Sequence, residues 1–399
     1  MKILIVDTTL NGDLIGGAQT FLVGLLSGLV RRGHEVNLVA GGGPNERIRG
    51  GIETTGAALH TAFAATSGIL DDVTDGVVRW IHDLNPNVYV VSVSPDIGWV
   101  ALPQLNPEIA TLTIGHGDFD TFYAPVRHYS RFLTQAIGVS EEICRKYRDE
   151  CGMPAERVTW IPYGVEVLDQ KPAGTAEGLL RLLYVGRLDE PQKRISDVVK
   201  IVKQLRESNV GFAFDIVGDG DERPLVEREL GADIADGHVR MHGWVGSENV
   251  IEAMRGGEVF ILASSTEGFC ISLTEAMANG CAPVVTDIES GNKQLVEDGV
   301  NGFVVPVGDV DAFVDRIKLL AADRSRLNEM RRAAWYTGKQ YSVDRMVENY
   351  VSCFERAIEH ARSNPRTPDP DFPLMESCRS KYPLWLRRLK AKAMRFAGV

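Results

Sequence analysis

Residues 267–275 read E-G-F-C-I-S-L-T-E, with two carboxylates, Glu267 and Glu275, eight positions apart. The apolar run Val259-Phe260-Ile261-Leu262-Ala263 precedes them, and Ala276-Met277-Ala278-Asn279 leads on to Gly280. The sequence therefore predicts a strand, a glycine-bearing turn and a helix N-terminus. Such a terminus offers unpaired backbone N–H groups and the positive end of the helix dipole, where an anion can sit. Carboxylates beside it can accept hydrogen bonds from sugar hydroxyls, so phosphate on amides and hydroxyls on carboxylates together describe a nucleotide-sugar. A plainer reading stands next to this one. Ser272 followed three residues later by Glu275 has the spacing of a capping box, with Glu275 reaching back to the Ser272 N–H and Glu267 an ordinary loop residue.

Outward from this stretch, the second half alternates strands and helices. Leu180–Val185 reads as a strand, Ser196–Arg206 as a helix, and Phe212–Val217 as a strand ending in Gly218-Asp219-Gly220. Val239–His242, Val259–Leu262 and Ala282–Thr286 are further strands. The first half shows the same alternation. Lys2–Asp7 is a buried parallel-type strand, and Gly16-Gly17 opens a helix carrying Phe21, Leu22, Leu25, Leu26 and Leu29 at helical spacing. Strands at Glu35–Ala40, Asn87–Val93, Thr111–Ile114 and Gln135–Val139 follow. This alternation predicts an α/β protein of two doubly wound domains with parallel sheets, binding ligands outside the carboxyl ends of the strands.

A polar segment with Pro and Gly, Glu166–Leu179, reads as the linker between them. Residues 1–165 then form an N-terminal domain completed by about 345–399, and 180–345 form the second. A long helical stretch is expected over Val310–Glu359, broken around Gly338, and a Pro-rich segment runs from Asn364 to Pro370.

Composition excludes several classes. The chain has 399 residues, 44% apolar, with 40 glycines, which suits a two-domain packed α/β protein. A net charge of -11 argues against a nucleic-acid partner. The six cysteines show neither CxxC spacing nor a His-paired metal pattern, so free thiols of a reducing compartment are expected. No window reaches about 18 continuous apolar residues, and the N-terminus reads as a strand rather than a signal peptide. A cytoplasmic protein, peripheral at most on the inner face of a membrane, is the expectation. From Arg379 to Val399 the chain carries seven basic residues and no acidic one. Interleaved with Leu384, Trp385, Leu386, Leu389, Met394 and Phe396, they suit peripheral contact with an anionic membrane. The alternative is a C-terminal helix packed back on the first domain, which suits the Pro383–Leu389 part better.

Other residues gather at strand ends. Gly186-Arg187-Leu188 follows Leu180–Val185, with Lys193 six residues after Arg187. An Arg and a Lys in one loop make a phosphate clamp, the Arg as a fork of donors and the Lys as a mobile charge; two surface cations are the plainer alternative. Gly16 and Gly17 permit close backbone approach to a ligand, or serve only their turn. His116, flanked by Gly115 and Gly117 at a strand end, is expected to be open to the ligand, where it can donate to a sugar hydroxyl or the leaving phosphate. Asp118 can orient it or the acceptor; a His serving only the turn remains the alternative.

Together these elements resemble the glycosyltransferase family 4 (glycosyl transferases group 1) pattern of the GT-B fold. The likeness rests on Gly186-Arg187-Leu188 with Lys193, Val217-Gly218-Asp219-Gly220, His242-Gly243-Trp244-Val245, Glu267-Gly268-Phe269 through Glu275-Ala276-Met277-Ala278, Gly280 with Pro283-Val284-Val285, and Asp298-Gly299 with Asn301-Gly302. It spans roughly residues 1–350 and is stronger in the second domain. It implies two Rossmann-like domains facing a cleft, with a C-terminal helix crossing back. It implies that Arg187 and Lys193 hold the donor diphosphate, Glu275 the ribose, and Glu267 the donor sugar's hydroxyls beside the amides of Phe269 and Cys270. Amides near Leu273 and Thr274 would touch the phosphate, Trp244-Val245 the base, Gly16 and Gly17 the donor from the first domain, and His116 the transferred sugar. Gly186, Gly218 and Gly268 complete the donor loops, and His116, Glu267, Arg187 and Lys193 are the catalytic candidates.

Two positions depart from the pattern. Cys270 stands where a second glycine is usual, which narrows the sugar pocket. Tyr163-Gly164-Val165-Glu166 replaces Asn-Gly-Val-Asp, a change expected to affect only the hinge. Asp118-Phe119-Asp120 and Asp219-Gly220-Asp221 have the Asp-x-Asp form of metal-dependent transferases, but metal independence and the lack of a cofactor follow from the resemblance and the Arg/Lys pair. The expected activity is retaining transfer from a nucleotide-diphospho-sugar to a glycan or lipid-linked acceptor, in bacterial-type surface polysaccharide or glycolipid assembly. With no separate candidate for a covalent nucleophile, front-face attack by the acceptor hydroxyl is expected. The alternatives are a GT-B nucleotide-sugar epimerase and a non-catalytic sugar-nucleotide binding module.

Overall fold

The computed structural model describes residues 1–7, 17–40, 46–60, 70–92, 97–167, 171–174, 178–289, 291–373 and 375. The chain divides into two compact units, Met1–Ile161 with Met346–Val399, and Pro162–Arg345.

The first unit is built on seven parallel strands: β1 (Lys2–Asp7), β2 (Glu35–Ala40), β3 (Ala58–His60), β4 (Val88–Val91), β5 (Ala110–Gly115), β6 (Gln135–Gly138) and β7 (Val158–Trp160). Their order is β3-β2-β1-β4-β5-β6-β7, which reverses direction between β1 and β4. The apolar runs of β1, β2 and β4 are buried on both faces, as expected when helices cover both sides of a parallel sheet. The helix Gly17–Arg31 buries Phe21, Leu22, Leu25, Leu26 and Leu29, the stripe its spacing predicts. Gly28 on that helix admits a close neighbour: a Cβ there would lie 2.4 Å from a Val347 methyl.

The second unit holds six parallel strands: β8 (Leu180–Val185), β9 (Phe212–Val217), β10 (Val239–Gly243), β11 (Val259–Leu262), β12 (Ala282–Thr286) and β13 (Phe303–Val305). Their order is β10-β9-β8-β11-β12-β13, with the reversal between β8 and β11. An apolar core of strand and helix residues, among them Leu182, Tyr184, Ile201, Phe214, Ile261, Val284 and Ile317, fills the space between sheet and helices.

Where the structure adds to the sequence reading, the reasons are physical. β3, β7 and β13 are additional to the strands it predicts; each is a three-residue edge strand, too short to show periodicity. The expected helical stretch over 310–359 is three helices, Val310–Ala322, Arg324–Gly338 and Val343–Ser363. The first break is at Asp323, whose side chain accepts from Arg326 N and caps the second helix. The Pro-rich segment after Asn364 is anchored to the first unit. The half-buried Arg366 guanidinium donates to Thr111 Oγ1 and to the carbonyls of Phe132, Asn106 and Ile109 at 2.7–3.0 Å. The Phe372 ring lies 4.8 Å from that of Phe132. In the second unit, part of the expected linker is fixed too: Ala173 O accepts from the buried Arg331 at 3.0 Å. Residues 379–399, read as a basic tail, lie outside the described residues.

Candidate functional site

At the β8/β11 reversal the strand ends open into loops that glycine holds together. Gly218, at φ +134°, lies so near the loop after β8 that a Cβ would fall 1.9 Å from Gly186 O. A Cβ on Gly220 would fall 2.4 Å from Leu188 O. Backbone bonds complete the seam: Gly186 N to Val217 O at 3.0 Å, Leu188 N to Asp219 O at 3.0 Å, and Gly218 N to Gly243 O at 2.8 Å. The loops after β8, β9 and β10 thus form one layer, at the position where doubly wound sheets take ligands. Trp244, just past β10, is 43% exposed, with Val245 half-buried beside it.

Arg187 and Lys193 do leave one loop, in different settings. Asp189 Oδ1 accepts from the backbone N–H groups of Gln192 and Lys193, both at 3.0 Å, and so folds the loop back. Lys193 Nζ then reaches Glu267 Oε1 at 2.6 Å, with side chains only 10% and 7% exposed. Burial alone would pull the lysine's pKa down; the adjacent Glu267 carboxylate outweighs it and holds the ammonium above its ordinary value. Arg187 is half-exposed and donates to Gln192 Oε1 at 2.7 Å. Gln192 in turn donates to Thr266 O at 3.2 Å and Glu267 Oε2 at 3.4 Å. The sequence reading does not single out Gln192 and Asp189. A polar run, Asp189 to Arg194, is the only signal of a folded loop there.

The helix after β11 spans Ile271–Ala278 with Cys270 as its N-cap, and Cys270 makes no side-chain capping bond. The first intrahelical donor is Thr274 N, to Cys270 O at 3.1 Å, so the amides before it face outward from the helix start. Ser272 lies inside the first turn rather than at the cap, so the capping-box reading of Ser272 and Glu275 is not realised. Leu273 and Thr274 are buried, and Thr274 Oγ1 donates back to Cys270 O at 3.1 Å. The Cys270 thiol is buried, which pushes its pKa up to about 11 and keeps it neutral. Phe269 packs edge-on to Tyr163 at 5.9 Å, and Gly268 O accepts from Gly291 N at 3.4 Å. Glu275 is half-buried. Burial, with Glu166 adding like charge, pushes its pKa up to about 7. Glu166 was expected to matter only to the hinge; its charge acts on a candidate site residue, which its sequence position, over a hundred residues away, does not reveal.

His116 belongs to the first unit, where it follows β5. It is half-buried rather than open, with Nε2 3.1 Å from Ser92 Oγ and its ring 5.2 Å from Phe21. Burial pulls its pKa down to about 4 against the opposing pull of Asp7, so the imidazole is neutral at neutral pH. Asp7, Ser92 and His116 all stand at carboxyl ends, of β1, β4 and β5. Gly17 is exposed at the start of its helix; Gly16 lies outside the described residues. Asp118, Asp120 and Asp219 are each paired with a cation, Lys146, Arg127 and Arg223 respectively.

Comparison with known proteins accords with this geometry. Residues 15–167 match a family model described as Glycosyltransferase Family 4, and residues 168–337 one described as Glycosyl transferases group 1. The chain belongs to the family 4, GT-B glycosyltransferases. It is 29% identical over 343 residues to a phosphatidyl-myo-inositol mannosyltransferase of Mycolicibacterium smegmatis, covering 81% of this chain and 86% of that one. An amylovoran biosynthesis glycosyltransferase of Erwinia amylovora is 32% identical over 173 residues, 40% of this chain and 41% of that one. Among solved structures, Anabaena HepE in complex with UDP-glucose superposes with a TM-score of 0.70 at 17% identity, covering 89% of this chain and 100% of that one. A glycosyltransferase from Rickettsia africae gives a TM-score of 0.75 at 15% identity, covering 90% and 98%. At those identities the structures speak for the fold. No described helix is long and apolar enough to cross a membrane.

Proposed function

We propose that this glycosyltransferase moves a sugar from a nucleotide-diphospho-sugar to a hydroxyl of a glycan or lipid-linked acceptor, with retention and without a metal ion. The observation that carries the reading is the convergence, at the β8/β11 reversal, of Arg187, Lys193, Glu267 and the open helix start at Cys270–Leu273. In this reading the anomeric carbon–oxygen bond breaks and charge grows on the diphosphate. Arg187, Lys193 and the helix amides stabilise that charge in place, which lowers the barrier. The acceptor oxygen bonds to the anomeric carbon on the face the diphosphate leaves, and its proton passes to the departing phosphate oxygen. Glu267, anchored by Lys193, accepts from the sugar's hydroxyls. Glu275 accepts from the ribose, Trp244-Val245 meets the base, and neutral His116 contacts a sugar hydroxyl.

The relatives' names favour glycolipid or polysaccharide synthesis; peripheral contact with the cytoplasmic face of a membrane is the part of the proposal that the basic composition of 379–399 supports. The test is a thermal-shift panel of UDP-, GDP-, ADP- and dTDP-sugars in chelator, with diphosphate release followed in parallel. Stabilisation by one nucleotide family with slow release of its diphosphate is expected. No shift with any donor would overturn the reading.

A further inference from the structure

The two ends of the second unit run side by side. The chain enters that unit at Pro162 and leaves it at Arg345. Val165 N donates to Tyr341 O at 2.8 Å, and Val343 N donates to Val165 O at 3.2 Å, which makes a parallel bridge between Val165 and Ser342. Gly164 permits the approach: a Cβ there would lie 2.6 Å from Val343 Cα.

Each end sends one ring to the same place. Tyr163 meets Phe269 at 5.9 Å with an interplanar angle of 85°, and Tyr341 meets it at 5.6 Å and 45°. Edge-on and offset pairs at such separations are the arrangements aromatic rings favour. Tyr163 and Phe269 are buried, and Tyr341 is half-buried. Gly291 presses on Phe269 as well, since a Cβ there would lie 2.7 Å from the ring. Phe269 stands between Glu267 and the helix start at Cys270, and its link to Glu267 is Gly268, the residue type that constrains the backbone least. Cys270 makes no side-chain capping bond to fix the helix start. Side-chain anchors therefore set the loop's place: Lys193 on Glu267, and the two tyrosines on Phe269. Glu166, three residues after Tyr163, lays its charge on Glu275, so the segment 163–166 acts on the donor loop and on its helix.

We propose that Tyr163 and Tyr341 are positioning residues for the transfer. Acting through Phe269, they hold the Glu267–Cys270 loop at the spacing from Arg187 and Lys193 at which one donor meets the diphosphate cations and the sugar contacts together. A small misplacement of such groups costs binding and rate out of proportion to its size. Their effect on a ligand rests on the transferase reading; their effect on the loop does not.

The experiment has one arm for each. Tyr163→Leu and Tyr341→Leu keep an apolar side chain and remove the ring, and Tyr163→Phe keeps the ring. The first arm is hydrogen exchange on the ligand-free full chain, read at the amides of Thr274 and Gly291, which donate to Cys270 O and Gly268 O. Both leucine variants should speed exchange there about tenfold with β8–β10 unchanged, and Tyr163→Phe should match wild type. Unchanged exchange at both amides, or acceleration spread equally over β8–β10, would overturn the positioning role. The second arm is calorimetry with UDP against UDP-glucose and GDP against GDP-mannose. The affinity gained from the sugar should fall about fivefold in the leucine variants, the scale of one aromatic contact, and stay as in wild type in Tyr163→Phe. A purely structural role would lower the melting temperature and leave that ratio alone, and a Tyr163→Phe as impaired as Tyr163→Leu would refute the ring contact. If wild type bound none of the four ligands, the transferase reading would fall, and the exchange arm would decide the positioning of the loop by itself.

Discussion

Arg187 and Lys193 look equivalent in the sequence, and their surroundings separate them. Removing Lys193 leaves the Glu267 carboxylate, 7% exposed, without its cation, a loss of about 3–5 kcal/mol for a buried pair. Removing the half-exposed Arg187 costs about 0–1 kcal/mol. Both should weaken nucleotide-diphosphate binding by about 1.5–3 kcal/mol, the range for charged hydrogen bonds. Lys193→Ala should therefore lower the melting temperature sharply and Arg187→Ala hardly at all, while calorimetric affinity falls in both. Lys193→Met combined with Glu267→Gln should recover the melting temperature but not the affinity. A melting temperature for Lys193→Ala equal to wild type would contradict the buried pair. Glu275 gives a pH signature of its own. Its pKa of about 7 in the folded protein lies above the ordinary carboxylate value, so between those two the folded state holds a proton the unfolded state has lost. This residue's contribution to stability is complete below the unfolded pKa and is lost as pH rises through about 7, by a few kcal/mol at most. Ribose hydroxyls need the ionised form as acceptor, so nucleotide affinity should rise between about pH 6 and 8 and flatten in Glu275→Gln. A wild-type affinity independent of pH over that interval would remove Glu275 from the ribose.

At the scale of elements, the loops after β8 and β9 depend on one contact. Gly218 at φ +134° with Gly186 O where its Cβ would be cannot be replaced without moving a loop. Gly218→Ala should cost at least about 2 kcal/mol, since strained φ alone costs about 1–3 kcal/mol, and should weaken donor binding by displacing Arg187. Gly237, at φ +76° with nothing within 4 Å of where a methyl would stand, is the control: Gly237→Ala should carry only the backbone penalty, with binding intact. Chemical denaturation with a nucleotide titration reads both. The glycines themselves are visible in the sequence, as are the central strands, because apolar runs such as Val259–Leu262 recur between turn signals in a strand–helix alternation. The contact that makes Gly218 obligatory is not, since it depends on how two non-adjacent loops meet. The edge strands β3, β7 and β13 are too short to show a pattern, and the break at Asp323 is hidden in a continuous helical pattern. Among site residues, Lys193 and Glu267 can be named from residue type and spacing. Gln192, which bridges Arg187 to Glu267, and Glu166, which loads Glu275, have no local signature, and their roles follow only from tertiary placement.

At the scale of the whole chain, the C-terminal segment returns to the first unit, and the Arg366 side chain is a central anchor there. Arg366 donates to four oxygens contributed by Thr111, Phe132, Asn106 and Ile109, so it joins β5, the turn before β6 and the loop before β5. Burial pulls its pKa down to about 10, which still leaves it charged at neutral pH. A half-buried cation is tolerated because carbonyl and hydroxyl oxygens replace much of its water. Asp369 N adds a bond to Pro103 O at 2.8 Å, and His128 Nε2 lies 2.7 Å from Pro373 O. Arg366→Ala strips the partners from those carbonyls and frees the segment that leads to the basic 379–399 stretch. The loss should be about 3–5 kcal/mol in the first unit, two charged hydrogen bonds' worth or more. Because two units need not unfold together, a single melting temperature is a poor readout. Hydrogen exchange is the better one: amides of β5, β6 and residues 364–373 should lose protection, while β8–β13 and nucleotide binding stay as in wild type. If exchange in the first unit were unchanged, the segment would be a passenger on its surface. Equal loss in both units would mean that Arg366 supports the fold of the whole chain rather than this docking alone. Arg366→Lys should fail nearly as badly as alanine, since one ammonium cannot span oxygens that the guanidinium reaches with separate nitrogens.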